Sequence, residues 1–104
     1  MMEQFQPVTG TGGNAMRAII TVIGRDTVGI IAHVTAILSQ NNVNILDISQ
    51  SILQEFFAMV MLADLSGSSI PFAELKTLLD EAGQQLGVTI RIQHESVFEA
   101  MHRV

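Results

Sequence analysis

Segments with the hydrophobic periodicity of a strand and segments with that of a helix follow one another along the chain. Their order limits the fold more than any other feature. Residues 17–23, RAIITVI, are β-branched and apolar at both alternating sets of positions, which is typical of a strand covered on both faces. From Ile30 to Asn41 the apolar residues recur at helical spacing, and the pair Asn41–Asn42 favours a turn. A strand followed by an amphipathic helix is therefore predicted for residues 17–42.

The remainder of the chain adds two strands, a helix and a final strand. Residues 43–53, VNILDISQSIL, and 56–65, FFAMVMLADL, have strand character, and the polar pair Gln54–Glu55 between them predicts a tight hairpin. Residues 72–86 carry apolar side chains at helical spacing and end at Gly87, and VTIRIQH at 88–94 alternates cleanly. This order predicts an α+β, ferredoxin-like βαββαβ sandwich, with a four-stranded antiparallel sheet, two helices on one face and a short C-terminal helix.

The third strand is apolar on both of its faces, although two helices cover only one face of such a sheet. Phe56, Ala58, Val60 and Leu62 form one set, and Phe57, Met59 and Met61 form the other. A contiguous apolar patch of this size usually marks an interface. We therefore expect a homodimer or a higher homo-oligomer, not a monomer.

Composition and charge exclude several classes of partner. The 104 residues suit one domain, 48% of them are hydrophobic, and the net charge is -5. The five basic residues are scattered, so nucleic acid and anionic membranes are not expected as partners. The chain has no cysteine, which excludes disulfides and thiolate metal sites, and no apolar run approaches the ~18 residues of a membrane span. A cytoplasmic location fits these features.

The first fifteen residues differ in composition from the rest of the chain. They include Pro7 and the run TGTGG at 9–13 and show no hydrophobic period. We interpret residues 1–15 as a flexible leader or a remnant of an expression vector, and residues 16–104 as the domain.

The stretch GRDTVGI, Gly24 to Ile30, lies where the first strand passes into the first helix. We expect Gly24 to release the chain from the strand and Asp26 or Thr27 to cap the helix. Gly29 allows either close helix packing or the close approach of a ligand. The free amides of Val28 to Ile31, with the positive end of the helix dipole, suit a carboxylate or phosphate. In the predicted plan this loop is expected beside the start of the second strand, at Asn44.

Taken in order, these features resemble a known family. The resemblance covers Met16 to Val104 and is carried by four motifs: Gly24-x-Asp26-x-x-Gly29-Ile30, Val43-Asn44-Ile45, Asp47-Ile48-Ser49-Gln50 and Val97-Phe98-Glu99-Ala100-Met101. They are similar to those of the ACT domain, a small-molecule-sensing module of amino-acid metabolism. The closest resemblance is to stand-alone ACT proteins, similar in turn to the ACT modules of the glycine cleavage system repressor and of formyltetrahydrofolate deformylase.

This resemblance implies a non-enzymatic dimer that binds an amino acid or similar effector between subunits and acts through a separate partner protein. The β1–α1 loop of one subunit and the start of the second strand of another would hold the effector. Asp26 and Gly29 match the loop positions, and Asn44 matches the strand position. With Thr27, Val28, Ile30 and Ile45 they form the expected ligand-binding set. Several amino-acid-binding relatives carry an amide where this chain has Asp26, so we expect the effector's carboxylate on the helix amides and its ammonium on Asp26.

Three alternatives follow from other residues. Acylphosphatase-type enzymes share the topology, and Arg25 with Asn44 resembles their arginine and asparagine, although the surrounding loop does not. A metal site could use Glu95, Glu99 and His102, which share a face if the tail is helical, together with the adjacent His94, although the spacing matches no recognised metal motif. RNA recognition on this topology uses exposed aromatic residues over a basic surface, whereas this chain is acidic. We expect no catalytic residue and no cofactor.

Overall fold

A computed structural model describes residues 16–25 and 28–97 of the chain. Its elements are β1 (Arg17–Arg25), α1 (Ile30–Gln40), β2 (Asn44–Leu53), β3 (Phe56–Asp64), α2 (Phe72–Leu86) and β4 (Val88–His94). A further helical turn begins at residues 95–97. The predicted order of strands and helices is confirmed, including the hairpin at Gln54–Glu55, where Gln54 adopts a positive φ of 58°.

The four strands form one antiparallel sheet in the order β2-β3-β1-β4. β1 pairs with β3 along one side and with β4 along the other, so it is interior, as its apolar character predicts. β2 pairs with β3 and forms one edge of the sheet, with a register irregularity between Ile45 and Asp47. Because β1 and β2 both run antiparallel to β3, they run in the same direction and start at the same end of the sheet.

Both helices lie on one face of this sheet and enclose a single apolar core. Alternate residues of β1, β3 and β4 point into it, as the period of two requires. The larger side chains that are fully buried there are Ile20, Val22, Val34, Leu38, Met59, Met61, Leu75 and Leu79. No polar or charged residue is buried in residues 16–25 and 28–97. Among residues 16–25 and 28–97, no helix lies on the other sheet face, and the second apolar set of β3 is in contact with solvent there.

Helix α2 and β4 are joined by a single residue. Gly87 adopts the left-handed conformation, with a φ of 76°, and donates its backbone N–H to the carbonyl of Gly83. A residue with a side chain is strained at such a φ, which explains the glycine. The reversal is short enough to place β4 directly under the last turn of α2. Neither helix has the length and apolar character needed to cross a membrane, within the part of the chain that the structure describes.

Candidate functional site

The N-terminus of α1 is exposed to solvent at Val28 and Gly29. Its cap position is Gly29, with a φ of 93°, and among the described residues no side chain hydrogen-bonds to the cap. Val28 before it is 99% exposed. Gly29 therefore holds the cap position, and the capping role expected of the Asp26 or Thr27 side chain stays a prediction. Both residues lie outside those that the structure describes.

The structure excludes one of the two predicted roles of Gly29. A Cβ added there would have no atom within 4 Å, so close packing of the helix does not explain the glycine. The left-handed φ does explain it, because other residues rarely adopt this conformation. The first-turn amides of α1, beginning at Ile30, are backbone donors for which an α-helix supplies no intrahelical partner.

Gly24 and Arg25 do not belong to the loop. They extend β1, where Gly24 pairs with Phe57 on one side and with Val88 on the other. A Cβ on Gly24 would lie 2.7 Å from Cγ1 of Val88, so this glycine makes room for a neighbouring strand and does not release the chain. The Arg25 guanidinium lies 3.6 Å from the Glu55 carboxylate and 5.8 Å from the centre of the Phe56 ring.

Asn44 and Ile45 line an open groove between α1 and the start of β2. The groove has a volume of ≈ 630 Å³. Its helix side consists of small residues of α1: Ala32, Thr35, Ala36 and Ser39. The Thr35 hydroxyl donates to the carbonyl of Ile31 at 2.8 Å, within its own helix. The i, i+3, i+4 and i+7 spacing of these small side chains was the available sequence signal for the groove.

The predicted proximity of the loop to Asn44 within one chain is wrong. Arg25, at the end of β1, pairs with Phe56, whereas Asn44, at the start of β2, pairs with Asp64 at the other end of β3. Helix α1 runs between the two ends, and its 11 residues span about 16 Å. Arg25 and Asn44 are separated in the same way, so one chain does not bring together the pair that resembles acylphosphatase.

The residues of the alternative metal site have other partners. Nε and Nη2 of Arg17 donate to the two carboxylate oxygens of Glu95 at 2.9 and 2.7 Å. The His94 ring stacks on Phe72, with the ring centres 4.1 Å apart. Glu99 and His102 lie outside the described residues, as does most of the tail motif. Within residues 16–25 and 28–97, no three His, Asp or Glu side chains are grouped to hold a metal ion.

The comparisons with known proteins agree with this geometry. A family model described as the ACT domain matches residues 17–93. The chain belongs to the ACT domain family. A UPF0237 protein from Clostridium acetobutylicum is 60% identical over 86% of this chain and 100% of its own length. The solved ACT domain protein from Streptococcus pneumoniae is 43% identical, with a TM-score of 0.71, over 86% of this chain and 100% of that one.

Two further solved structures confirm the expected likeness to ACT modules of larger proteins. One is assigned as a glycine cleavage system transcriptional repressor; it is 26% identical, with a TM-score of 0.68, over 78% of this chain and 46% of that chain. The other, a formyltetrahydrofolate deformylase from Pseudomonas syringae, is 21% identical with a TM-score of 0.68 and shows the fold alone; the match covers 81% of this chain and 29% of that chain. ACT domains are generally regulatory modules that bind small molecules. Membership of this ACT family indicates regulation, not catalysis.

Proposed function

We propose that this ACT protein is a non-enzymatic sensor that binds an amino acid, or a similar small effector, between two subunits and acts on a separate partner protein. The observation that carries the proposal is the open N-terminus of α1. Its cap residue Gly29 receives no side-chain hydrogen bond from the described residues, and a Cβ added to Gly29 would meet no atom within 4 Å. An anion bound there would accept hydrogen bonds from the first-turn amides and meet the positive end of the helix dipole.

The chemistry of the neighbouring residues favours an amino acid over a plain anion. In the pose that we propose, the effector's carboxylate binds the amides of Ile30 and the residues that follow it. The effector's ammonium pairs with the carboxylate of Asp26, two residues before Val28 in the sequence. A simple anion such as phosphate would meet the same amides but would be repelled by Asp26.

Asn44 would complete the site from the second subunit. The two ends of one chain are separated by the length of α1, so Asn44 does not reach the α1 N-terminus of its own chain. β2 is a sheet edge, and edge strands offer unpaired backbone groups to another copy. Antiparallel pairing of two β2 strands about a twofold axis would bring Asn44 of the partner subunit to the end where α1 begins.

Calorimetry against a panel of free amino acids tests the site. We expect one class of amino acid to bind, and we expect Asp26→Ala and Asn44→Ala each to weaken its binding about tenfold or more, as the loss of a charge-assisted or buried hydrogen bond does. Ser49→Ala is the matched control, because Ser49 is also an exposed polar residue of β2 but lies away from the groove. Equal affinity of Asp26→Ala and the wild-type protein would remove Asp26 from the site.

Mixing the two weakened variants tests whether the site is shared between subunits. In a dimer formed from one Asp26→Ala chain and one Asn44→Ala chain, one of the two sites takes both intact residues. Random exchange should therefore restore wild-type affinity at about a quarter of all sites. A site built within one chain would regain nothing on mixing, and that result would overturn the two-subunit arrangement.

A further inference from the structure

The sheet face opposite the helices has an apolar centre. The open face, as we name it, consists of the outward side chains of the four strands. Its two central strands carry Thr21 between Ile19 and Ile23, and Arg17 and Arg25 at the two ends of β1. The other outward side chains of β1 and β3 over this stretch are apolar: Ile19, Ile23, Phe56, Ala58, Val60 and Leu62. Ile23 is 57% exposed, Phe56 is 51% exposed and Val60 is 42% exposed. A patch of neighbouring exposed apolar side chains on a small protein indicates a surface that another molecule covers.

The two margins of the open face are polar and carry opposite charges. The register places Thr89, Arg91 and Gln93 on the β4 margin, beside Ile23, Thr21 and Ile19 of β1. It places Asp47, Ser49 and Ser51 on the β2 margin, beside Leu62, Val60 and Ala58 of β3. Each margin thus has one charged side chain, and both Arg91 and Asp47 are exposed. None of the ion pairs among the described residues involves either of them.

We infer that the open face binds a second copy of this chain, with β4 of each copy lying over β2 of the other. A twofold axis parallel to the strands produces this arrangement, and stacked sheets lie about 10 Å apart. Arg91 then lies over the partner subunit's β2 at a point two residues along the strand from Asp47 of the partner subunit. The symmetry makes this contact twice. A twofold axis across the strands would instead place Arg91 over Arg91 of the partner subunit. The charges therefore select one orientation.

The same surface suits a second copy better than a nucleic acid or a lipid surface. Phosphate-bearing partners are repelled by a chain with a net charge of -5 and only five basic residues. The face offers a single aromatic ring, Phe56, for base stacking, and this ring lies under the Arg25 guanidinium. The spacing and length of the strands give the open face an area on the order of 400–500 Å². This is small for a permanent interface, so dissociation is expected in the micromolar range.

This inference goes beyond the proposed function and does not depend on it. Stacking about an axis parallel to the strands keeps the α1 N-terminus and Asn44 of the partner subunit at opposite ends, so it builds no effector site. An assembly that used both this contact and pairing through the β2 edge would add subunits indefinitely and would not form a closed oligomer. We therefore expect particles of two subunits joined through the open face in protein that is free of amino acids.

Sedimentation equilibrium of amino-acid-free protein, at concentrations from about 1 μM to 1 mM, tests the inference. The variant Val60→Asp places a charge at the centre of the open face, and the matched control Ile48→Asp places one on β2. Val60 and Ile48 are both 42% exposed. However, Ile48 pairs with the buried Met61 and therefore points to the helix side. We expect Val60→Asp to raise the dimer Kd by about 100-fold or more and Ile48→Asp to change it by less than about threefold. Any other pattern, including a monomeric wild-type protein, overturns the inference.

A charge exchange tests the orientation without relying on an apolar-to-charged substitution. Arg91→Glu and Asp47→Arg should each raise the dimer Kd about tenfold, because each places like charges opposite one another. The double variant should return the Kd to within about threefold of wild type. Circular dichroism confirms that each variant is folded. If the double variant is no better than the two single ones, the copies do not stack β4 over β2.

Discussion

Gly83 lies where α2 passes closest to β4, and a single methyl group at this position tests how the two are held together. The one-residue turn at Gly87 starts β4 directly under the last turn of the helix. A Cβ on Gly83 would lie 2.7 Å from the carbonyl oxygen of Val88 and 3.4 Å from the backbone nitrogen of Ile90. Both obstructing atoms belong to the backbone, so no side-chain rotation can make room.

Two effects of opposite sign decide the outcome of Gly83→Ala. Alanine is favoured over glycine in a helix interior by about 1 kcal/mol. Real Cβ atoms almost never lie within 3.0 Å of another heavy atom, so α2 and β4 must separate by several tenths of an ångström. Overpacking of this kind costs about 1–3 kcal/mol, and an immovable backbone oxygen places it in the upper part of that range. We expect a net loss of about 1–2 kcal/mol in the free energy of unfolding.

Urea unfolding followed by circular dichroism measures this loss. Protein concentration should be held constant, because association changes apparent stability. Gln84→Ala is the control: Gln84 is the exposed neighbour in the same helical turn, and its replacement should change stability by less than about 0.5 kcal/mol. An unchanged m-value would show that the unfolded state is unaffected. Gly83→Ala at or above wild-type stability would refute the close approach as a constraint.

Three further substitutions probe other parts of the fold. Gly87→Ala should cost about 1 kcal/mol from its φ of 76° alone, since nothing lies within 4 Å of the added Cβ; a larger loss in urea unfolding would contradict this. Leu79→Ala, at a fully buried core position, should cost about 2–5 kcal/mol and lower Tm, and retention of the wild-type Tm would place Leu79 outside the core. Glu95→Gln removes the two-point pair with Arg17 and should cost about 1 kcal/mol at low salt and less at high salt; equal losses at both salts would refute an ionic contribution.

The hydrophobic pattern predicted the fold because its information is local. In VTIRIQH, alternation assigns Val88, Ile90 and Ile92 to the core, and the structure buries all three. In α2, helical spacing identifies Leu75, Leu79 and Ala82, and all three are buried. A strand of period two and a helix of period 3.6 each require one apolar face, so the face can be read before any neighbour is known.

The candidate site was predicted less well because its signals depend on distant pairing. Gly24 and Arg25 have the composition of a turn, yet hydrogen bonding to β3 on one side and the approach of Val88 on the other keep Gly24 in the strand. A special role was correctly expected for Gly24, but the reason for the glycine is the close approach of the neighbouring strand β4. The capping role expected of the Asp26 or Thr27 side chain stays a prediction, because both residues lie outside those that the structure describes; the cap position itself belongs to the left-handed Gly29.

The sequence alone determined which segments form strands and helices, which side chains enter the core, and that one sheet face would stay apolar and uncovered. The tertiary structure alone decided which ends of these segments meet. β2 pairs with β3 and starts at the same end of the sheet as β1, so Asn44 and the α1 N-terminus lie at opposite ends of one chain. Periodicity is a property of a few neighbouring residues, whereas the position of an end depends on strand order and direction, which arise from contacts between residues far apart in sequence.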